Sequence, residues 1–179
     1  MKTLIFTFFL FNLSLSASPF IEPAKKALAA TVLIHADGKG QSGFFASPNG
    51  EILTLYHPIK ETQTITVEKD RIFYPATLIS GNSETNIALL QIPGQDFPYL
   101  EIASSRDLLP GEWALIAGFP IRRLSVRRAL ISTLCQEFLI VDTPFNPGEF
   151  GGPLLNLEGE VIGINCSNSN NLGLSIPLD

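Results

Sequence analysis

Short apolar runs separated by polar turns fill most of the chain after its first thirty residues. They are rich in Val, Ile, Leu, Phe and Thr, a pattern typical of β-strands. Turn-forming stretches such as DGKGQ and SGNSE lie between them. A first set of strands is predicted at ATVLIHA, GFFA, EILTL, TITV, IFYPATLI and NIALLQI.

A second set of six runs predicts a second group of strands. They are EWALIAGF, SVRRALIST, FLIVDT, GPLLNL, EVIGINC and LGLSIP. Short helices are predicted at EPAKKALAA and PIKET. Since antiparallel closure removes exposed strand edges, two sets of six strands predict an all-β fold of two six-stranded antiparallel β-barrels packed together. The first barrel is placed at about 28–93, a connector at about 94–110 and the second barrel at about 111–178.

The N-terminal residues have the layout of a secretory signal peptide. Lys2 precedes an apolar run, and small residues follow at Ser14, Ser16 and Ala17. The run is short for a bilayer span, and no later stretch approaches the roughly 18 apolar residues that a spanning helix needs. We therefore expect a signal peptide at 1–18, no membrane span in the mature chain 19–179, and export to a periplasm or the extracellular space. An uncleaved anchor is the alternative.

The formal net charge of −5 argues against nucleic-acid binding, which needs a broad positive field. Basic residues nevertheless cluster in the run IRRLSVRR, at Arg122, Arg123, Arg127 and Arg128. One interpretation is a solvated hairpin with outward charges, and the other is a contact with an acidic partner.

Four further side chains have simple interpretations. Cys135 and Cys166 could pair in an exported protein, although two free, half-buried thiols are favoured. Neither has the CxxC or Cys/His spacing of a zinc site, so no metal and no cofactor is expected. His35 is expected at the surface and Trp113 in the core.

The stretch NPGEFGGPL has the turn and the glycines that normally frame a catalytic hydroxyl, yet the framed residue is Phe150. Hydrolysis by a serine needs the hydroxyl, an imidazole that takes its proton, a carboxylate that orients the imidazole, and backbone N–H groups for the oxyanion. The glycines allow a tight turn that points these amides into the site.

Several blocks together resemble the trypsin-like serine proteases, most closely the Deg/HtrA branch. They are ILTLYHPI, NIALLQI and NPGEFGGPLLNLEGEVIGIN, extended by GQSGFFASPNG, PGEWALIAGFP and LGLSIP, and they follow the family's order over nearly the whole mature chain. The resemblance implies a trypsin/chymotrypsin-like fold. It also places His57, Asn86 and Phe150 at the positions of the catalytic histidine, aspartate and serine, with Gly148, Glu149 and Phe150 in the oxyanion loop. Because the chain stops at SIPLD, the PDZ domain that often follows in this family is not expected.

Two of these three positions depart from the family's chemistry. Asparagine in place of the aspartate of such a triad lowers kcat by about 10⁴. The phenyl ring of Phe150 can neither give a proton nor attack a carbonyl, so no acyl-enzyme can form on it. A stand-in nucleophile or base would have to reach hydrogen-bonding distance of His57. The candidates are Ser42, Ser83, Glu84, Glu149 and the thiols, and Glu149 is expected to point away from the cleft.

The resemblance and its departures leave three functions open. An exported, non-catalytic homologue that binds or regulates a protein or peptide partner is favoured, with the old cleft or the arginine cluster as its contact. An endopeptidase with a displaced nucleophile and a chaperone-like binder of unfolded chains are the alternatives. His57 is interpreted as a packing residue with a hydrogen-bonded ring, and Phe150 as a plug of the cleft or else an exposed anchor. Oligomeric state is left open.

Overall fold

The computed structural model describes residues 18–178, so residues 1–17 of the expected signal peptide lie outside the described residues. The described part of the chain begins with one helix, α1 (Ile21–Ala30), which carries the predicted EPAKKALAA segment. The strands after this helix are β1 (Thr31–Ala36), β2 (Lys39–Phe45), β3 (Glu51–Leu55), β4 (Ile65–Lys69), β5 (Ile72–Asn82), β6 (Ile87–Gln91), β7 (Trp113–Gly118), β8 (Ser125–Leu134), β9 (Leu139–Val141), β10 (Pro153–Leu155), β11 (Val161–Ser169) and β12 (Leu172–Pro177).

These strands form two closed antiparallel barrels, as the sequence predicts. The first has the order β1-β2-β3-β6-β5-β4 and the second β10-β11-β12-β9-β8-β7. Each predicted strand segment overlaps one observed strand. The all-β, two-barrel prediction is therefore confirmed.

Three clusters of buried side chains hold the barrels together. One fills the first barrel and includes Phe45 and Leu90. Another fills the second barrel and includes Leu139 and Leu154. The third lies where α1 and both barrels meet, and joins Phe44 of β2 to side chains of α1 and the second barrel. This shared core fixes the two facing surfaces that border the candidate site.

The connector packs closely on both barrels. Leu100 is 1% exposed, and its N–H donates to the Phe45 carbonyl at 3.0 Å. The ring of Phe97 stacks on that of Phe45 with centroids 4.6 Å apart. Ile102 forms a parallel bridge to Val161 of β11.

Two local predictions are wrong. The PIKET segment is a turn rather than a helix, since its hydrogen bonds join residues three apart, from the Ile59 N–H to Tyr56 and from the Thr62 N–H to Ile59, as in successive turns. Trp113 is not a core residue but 44% exposed. It opens β7 at the barrel rim, where its ring meets Phe20 edge-on at 5.6 Å.

Within residues 18–178, no helix is long and apolar enough to cross a membrane. In the same range, no group of three or more His, Cys, Asp or Glu side chains is placed to hold a metal ion.

Candidate functional site

A tight turn at Asn146–Glu149 forms one wall of the cleft between the barrels. The Glu149 N–H donates to the Asn146 carbonyl at 2.9 Å, and Gly148 has φ +95°. Pro147 precedes Gly148, as type II turns prefer, because proline fixes the first central φ and glycine tolerates the positive second one. A Cβ at position 148 would also collide with the Phe119 carbonyl oxygen. The sequence NPGE therefore encodes this turn locally.

The carbonyl group of Gly148 is held from both barrels. It accepts a hydrogen bond from Ser42 Oγ at 2.6 Å and one from the Phe119 N–H at 3.1 Å. Within residues 18–178, no hydrogen bond is found from the backbone N–H groups of Gly148 and Phe150. These are the two amides expected to face an oxyanion, and neither is used in a hydrogen bond within the described residues.

A buried ion pair lies beneath this turn. The Glu149 side chain is 1% exposed, and its two oxygens accept from Nε and Nη2 of Arg127 at 2.9 and 2.7 Å. Burial raises the pKa of the Glu149 carboxyl, but the hydrogen bonds from Arg127 and Asn146 outweigh it, so the pKa lies below its ordinary value. Arg127 also donates to Thr143 and Pro144. The carboxylate is thus fully used in holding the turn.

The arginine cluster is divided rather than uniformly solvated. Arg122 and Arg123 are exposed at a turn that begins at Pro120, and Arg128 is exposed beside Phe20 and Trp113. Arg127 points inward to Glu149, which corrects the prediction of a hairpin with outward charges. The alternation of side chains along β8 could have predicted this inward direction, because Arg127 lies on the same face of the strand as the buried Ala129 and Ile131.

Phe150 directly follows this turn. Its ring is partly buried, packs against the shared core and the second-barrel core, and meets Phe145 edge-on with centroids 6.3 Å apart. The Phe150 carbonyl accepts from the Ser42 N–H at 2.9 Å. The following Gly151 has φ +82°, and a Cβ there would collide with the Ser42 carbonyl. Ser42 of β2 therefore holds the backbone in place at Phe150 and at Gly151.

His57 and Asn86 are brought together, but through the backbone of the histidine. Asn86 Oδ1 accepts from the His57 main-chain N–H at 2.8 Å. His57 is exposed, and no hydrogen bond from its ring is found among the described residues. Its interpretation as a packed residue with a hydrogen-bonded ring is therefore wrong: the residue is exposed, and its ring centroid lies 6.2 Å from that of Tyr56.

The residues considered as replacements for the nucleophile or the base are not placed to act on His57. Ser42 Oγ donates to Gly148 and accepts from Phe119, so its hydrogen is already used. Burial raises the pKa of the Cys166 thiol, despite hydrogen bonds from Asn86 and Ser167, which disfavours the thiolate that attack requires. Ser83 and Glu84 are exposed residues in the turn after β5. Both cysteines are free, as favoured, although Cys135 is exposed rather than half-buried.

His35 differs from its prediction as a surface residue. It is half-buried, and its Nε2 lies 2.9 Å from Glu68 Oε2. This pair joins β1 to β4 on the outside of the first barrel, and it takes no part in the cleft.

Comparison with known proteins identifies the family to which this chain belongs. Residues 41–164 match the model of the trypsin-like peptidase domain. The chain is 39% identical over 134 residues to a "probable periplasmic serine endoprotease DegP-like" of Pseudomonas fluorescens, covering 69% of this chain and 28% of that protein. Proteins of the same name from Chlamydia pneumoniae and Rickettsia prowazekii are 37% and 33% identical, over 70% and 75% of this chain. The chain spans only 28–29% of the length of these three relatives.

Proposed function

The chain belongs to the trypsin-like peptidase family, and from that premise we propose that it is an exported, non-catalytic member that binds peptide segments in the cleft between its barrels. The functional comparison is with the DegP-like periplasmic endoproteases. The proposal differs from their named activity at the chemical step, because this chain would hold a peptide without cleaving it.

Phe150 is the observation that carries the proposal. The turn before it, the glycines after it and the ion pair beneath it keep a backbone suited to a nucleophile, yet the side chain has no hydroxyl or thiol. A phenyl ring cannot form the covalent intermediate of acyl transfer. A site that keeps its shape and loses its nucleophile is suited to binding.

The arrangement of His57 and Asn86 supports the same conclusion. A general base must be oriented by a second group, usually through a hydrogen bond to its ring. Here the amide of Asn86 contacts the main chain of His57, and an amide cannot supply the negative charge that stabilises an imidazolium. The imidazole would therefore be a poor base even with a hydroxyl nearby.

Hydrolysis and covalent labelling test the proposal together. Purified protein is incubated with fluorescein-labelled casein, and separately with a fluorophosphonate and with iodoacetamide, alongside the His57→Ala variant. We expect no cleavage, no fluorophosphonate adduct, and thiol alkylation that is the same in both proteins. Cleavage or labelling that disappears in His57→Ala would establish a displaced nucleophile instead.

Export is part of the proposal and has its own test. The relatives are named periplasmic proteins, and the first residues of this chain have the composition of a signal peptide. Mass spectrometry of protein recovered from outside the cytoplasm should find a mature N-terminus near residue 19. Recovery of the full-length chain in a membrane fraction would support the uncleaved anchor.

A further inference from the structure

Two cavities adjoin along the seam between β2 and the Asn146–Glu149 turn. The larger has a volume of about 440 Å³ and is lined by residues that include Leu33, Ile121, Arg122 and Pro147. The smaller has a volume of about 210 Å³ and is lined by residues that include Lys39, Gln41, Pro58 and Phe150. Gly40 and Gly148 line both. The two cavities therefore form one depression, the Gly40–Gly148 groove, with Phe150 at one end and Ile121 at the other.

The charge of this groove is opposite to that of the chain. The chain has a formal net charge of −5, yet the charged side chains that line the groove are Lys39 and Arg122, and none of the described lining residues is acidic. Glu149 follows Gly148 but is buried and paired with Arg127. A positive groove on an acidic protein attracts a negatively charged ligand and repels a positive one.

The outer rim of the groove combines strain with an exposed apolar side chain. Ile121 has φ +50° and Arg122 has φ +59°. A left-handed conformation is unfavourable for a β-branched residue, and Ile121 is also 87% exposed. Strained residues that the fold retains tend to lie where a ligand is bound. An exposed isoleucine at the rim gives an apolar ligand side chain a surface to cover.

One buried acceptor of a residue that lines the smaller cavity lacks a partner. Gln41 is 7% exposed, and its Nε2 donates to Thr54 Oγ1 at 3.1 Å and to the Leu55 carbonyl at 3.2 Å. These two bonds fix the amide orientation, because a flip would place Oε1 against the Leu55 carbonyl. Within residues 18–178, Oε1 accepts no hydrogen bond. Buried polar atoms are normally paired, so the wall of the smaller cavity departs from the usual pattern at Gln41.

We propose that the Gly40–Gly148 groove binds an acidic and apolar peptide segment of a partner protein. An apolar side chain of the partner packs against Ile121, Leu33 and Pro147, and neighbouring carboxylates approach Lys39 and Arg122. This inference rests on the proposed function and specifies its ligand. Residues 1–17 of the chain itself lack the required charge, since they contain Lys2 and no acidic residue.

Fluorescence anisotropy with three labelled twelve-residue peptides tests the inference. One peptide alternates Leu and Asp, one alternates Leu and Lys, and one alternates Ser and Asp. We expect the Leu/Asp peptide to bind at least about tenfold more tightly than either of the others, and its affinity to fall as salt is added.

Charge reversal identifies the groove as the binding site. Arg122→Glu should weaken binding of the Leu/Asp peptide by about tenfold or more, whereas the matched control Lys25→Glu should change it by less than about twofold. Both variants alter the net charge equally. Lys25 is exposed on α1 and lines neither cavity.

A third variant separates strain from binding. Asparagine tolerates the left-handed conformation better than isoleucine, so Ile121→Asn should raise the unfolding temperature while it lowers affinity for the Leu/Asp peptide. A loss of affinity in a more stable protein cannot be attributed to misfolding.

The outcomes distinguish the inference from the proposed function. Peptide binding that is equal for Leu/Asp and Leu/Lys, or that Arg122→Glu and Lys25→Glu change alike, overturns the inference and leaves non-catalytic peptide binding standing. Tight binding of Ser/Asp equal to that of Leu/Asp shows polyanion binding alone and also overturns it. Failure of every peptide to bind at millimolar concentration overturns both.

Discussion

The two turns that border the groove are built in opposite ways. The Asn146–Glu149 turn places glycine at its positive φ and proline before it, and it rests on the buried pair of Glu149 with Arg127. The turn at Pro120–Arg122 places isoleucine and arginine at positive φ and exposes both to solvent. Local sequence and local conformation agree in the first turn and conflict in the second.

This difference between the two turns indicates that one maintains the backbone shape of the cleft and the other contacts a ligand. The first turn preserves a backbone shape, and it does so without the hydroxyl that normally accompanies that shape. The second turn tolerates strain at a surface position, where stability alone would favour glycine or asparagine. The buried pair of Glu149 with Arg127 stabilises the shape of the first turn. The exposed second turn is the part that we expect to contact a ligand.

The largest effect is expected at the buried ion pair. Arg127→Met leaves the Glu149 carboxylate buried without its cation, and should lower the free energy of unfolding by about 3–5 kcal/mol. Guanidinium denaturation measures the change. The double variant Arg127→Met with Glu149→Met should be less destabilised than Arg127→Met alone, and Arg128→Ala should cost about 1 kcal/mol or less. A single variant as stable as the parent would show that the pair does not hold the turn.

A smaller effect is expected from Gly148→Ala. The added Cβ is disfavoured at φ +95° and also meets the Phe119 carbonyl, so we expect a loss of about 2–4 kcal/mol in the free energy of unfolding. Gly111→Ala is the matched control, because Gly111 has φ +98° but nothing lies within 4 Å of its added Cβ. That control should lower the free energy of unfolding by about 1 kcal/mol. Equal losses in both variants would argue against close packing of the turn against Phe119.

The pH dependence of stability should report on Glu149. Its folded pKa is lowered relative to the unfolded chain, so its stabilising contribution is complete above the unfolded pKa of about 4.3 and is lost as the pH falls through the folded value. Urea denaturation between pH 7 and pH 3 should therefore show a decline on the acid side. Glu149→Gln should make that decline shallower, whereas Glu158→Gln, at an exposed turn position, should leave it intact. An unchanged acid slope in Glu149→Gln would contradict the assignment.

The smallest effect has the opposite sign. Ile121→Asn should raise the free energy of unfolding by about 1 kcal/mol, because it relieves a left-handed β-branched residue. Thermal denaturation measures it, with Ile79→Asn as the control at an exposed strand position. If both substitutions destabilise the protein equally, the claim that the backbone at Ile121 is strained is wrong.

Sequence patterns predict the barrels well because period-2 alternation and turn residues are local signals. The same patterns fail to predict where a side chain points when its partner is distant in the sequence. Arg127 pairs with a carboxylate 22 positions away, and nothing local identifies Glu149, although the parity of β8 already places the arginine on the inward face. Trp113 is exposed because its strand begins at the barrel rim, which a count of apolar residues cannot locate. The position of Phe150 in its frame could be read from NPGEFGGPL, but its packing between two cores could not.

Restoring the missing groups tests the central claim most directly. In the variant Asn86→Asp with Phe150→Ser, the retained turn should present the new hydroxyl to the Gly148 and position-150 amides, and the new carboxylate supplies negative charge next to His57. We predict that a fluorophosphonate labels position 150 of this variant and that casein is cleaved, with neither result in the parent chain. Labelling of the parent protein, or a folded double variant that remains unlabelled and inactive, would contradict the claim that the site kept its shape and lost only its chemistry.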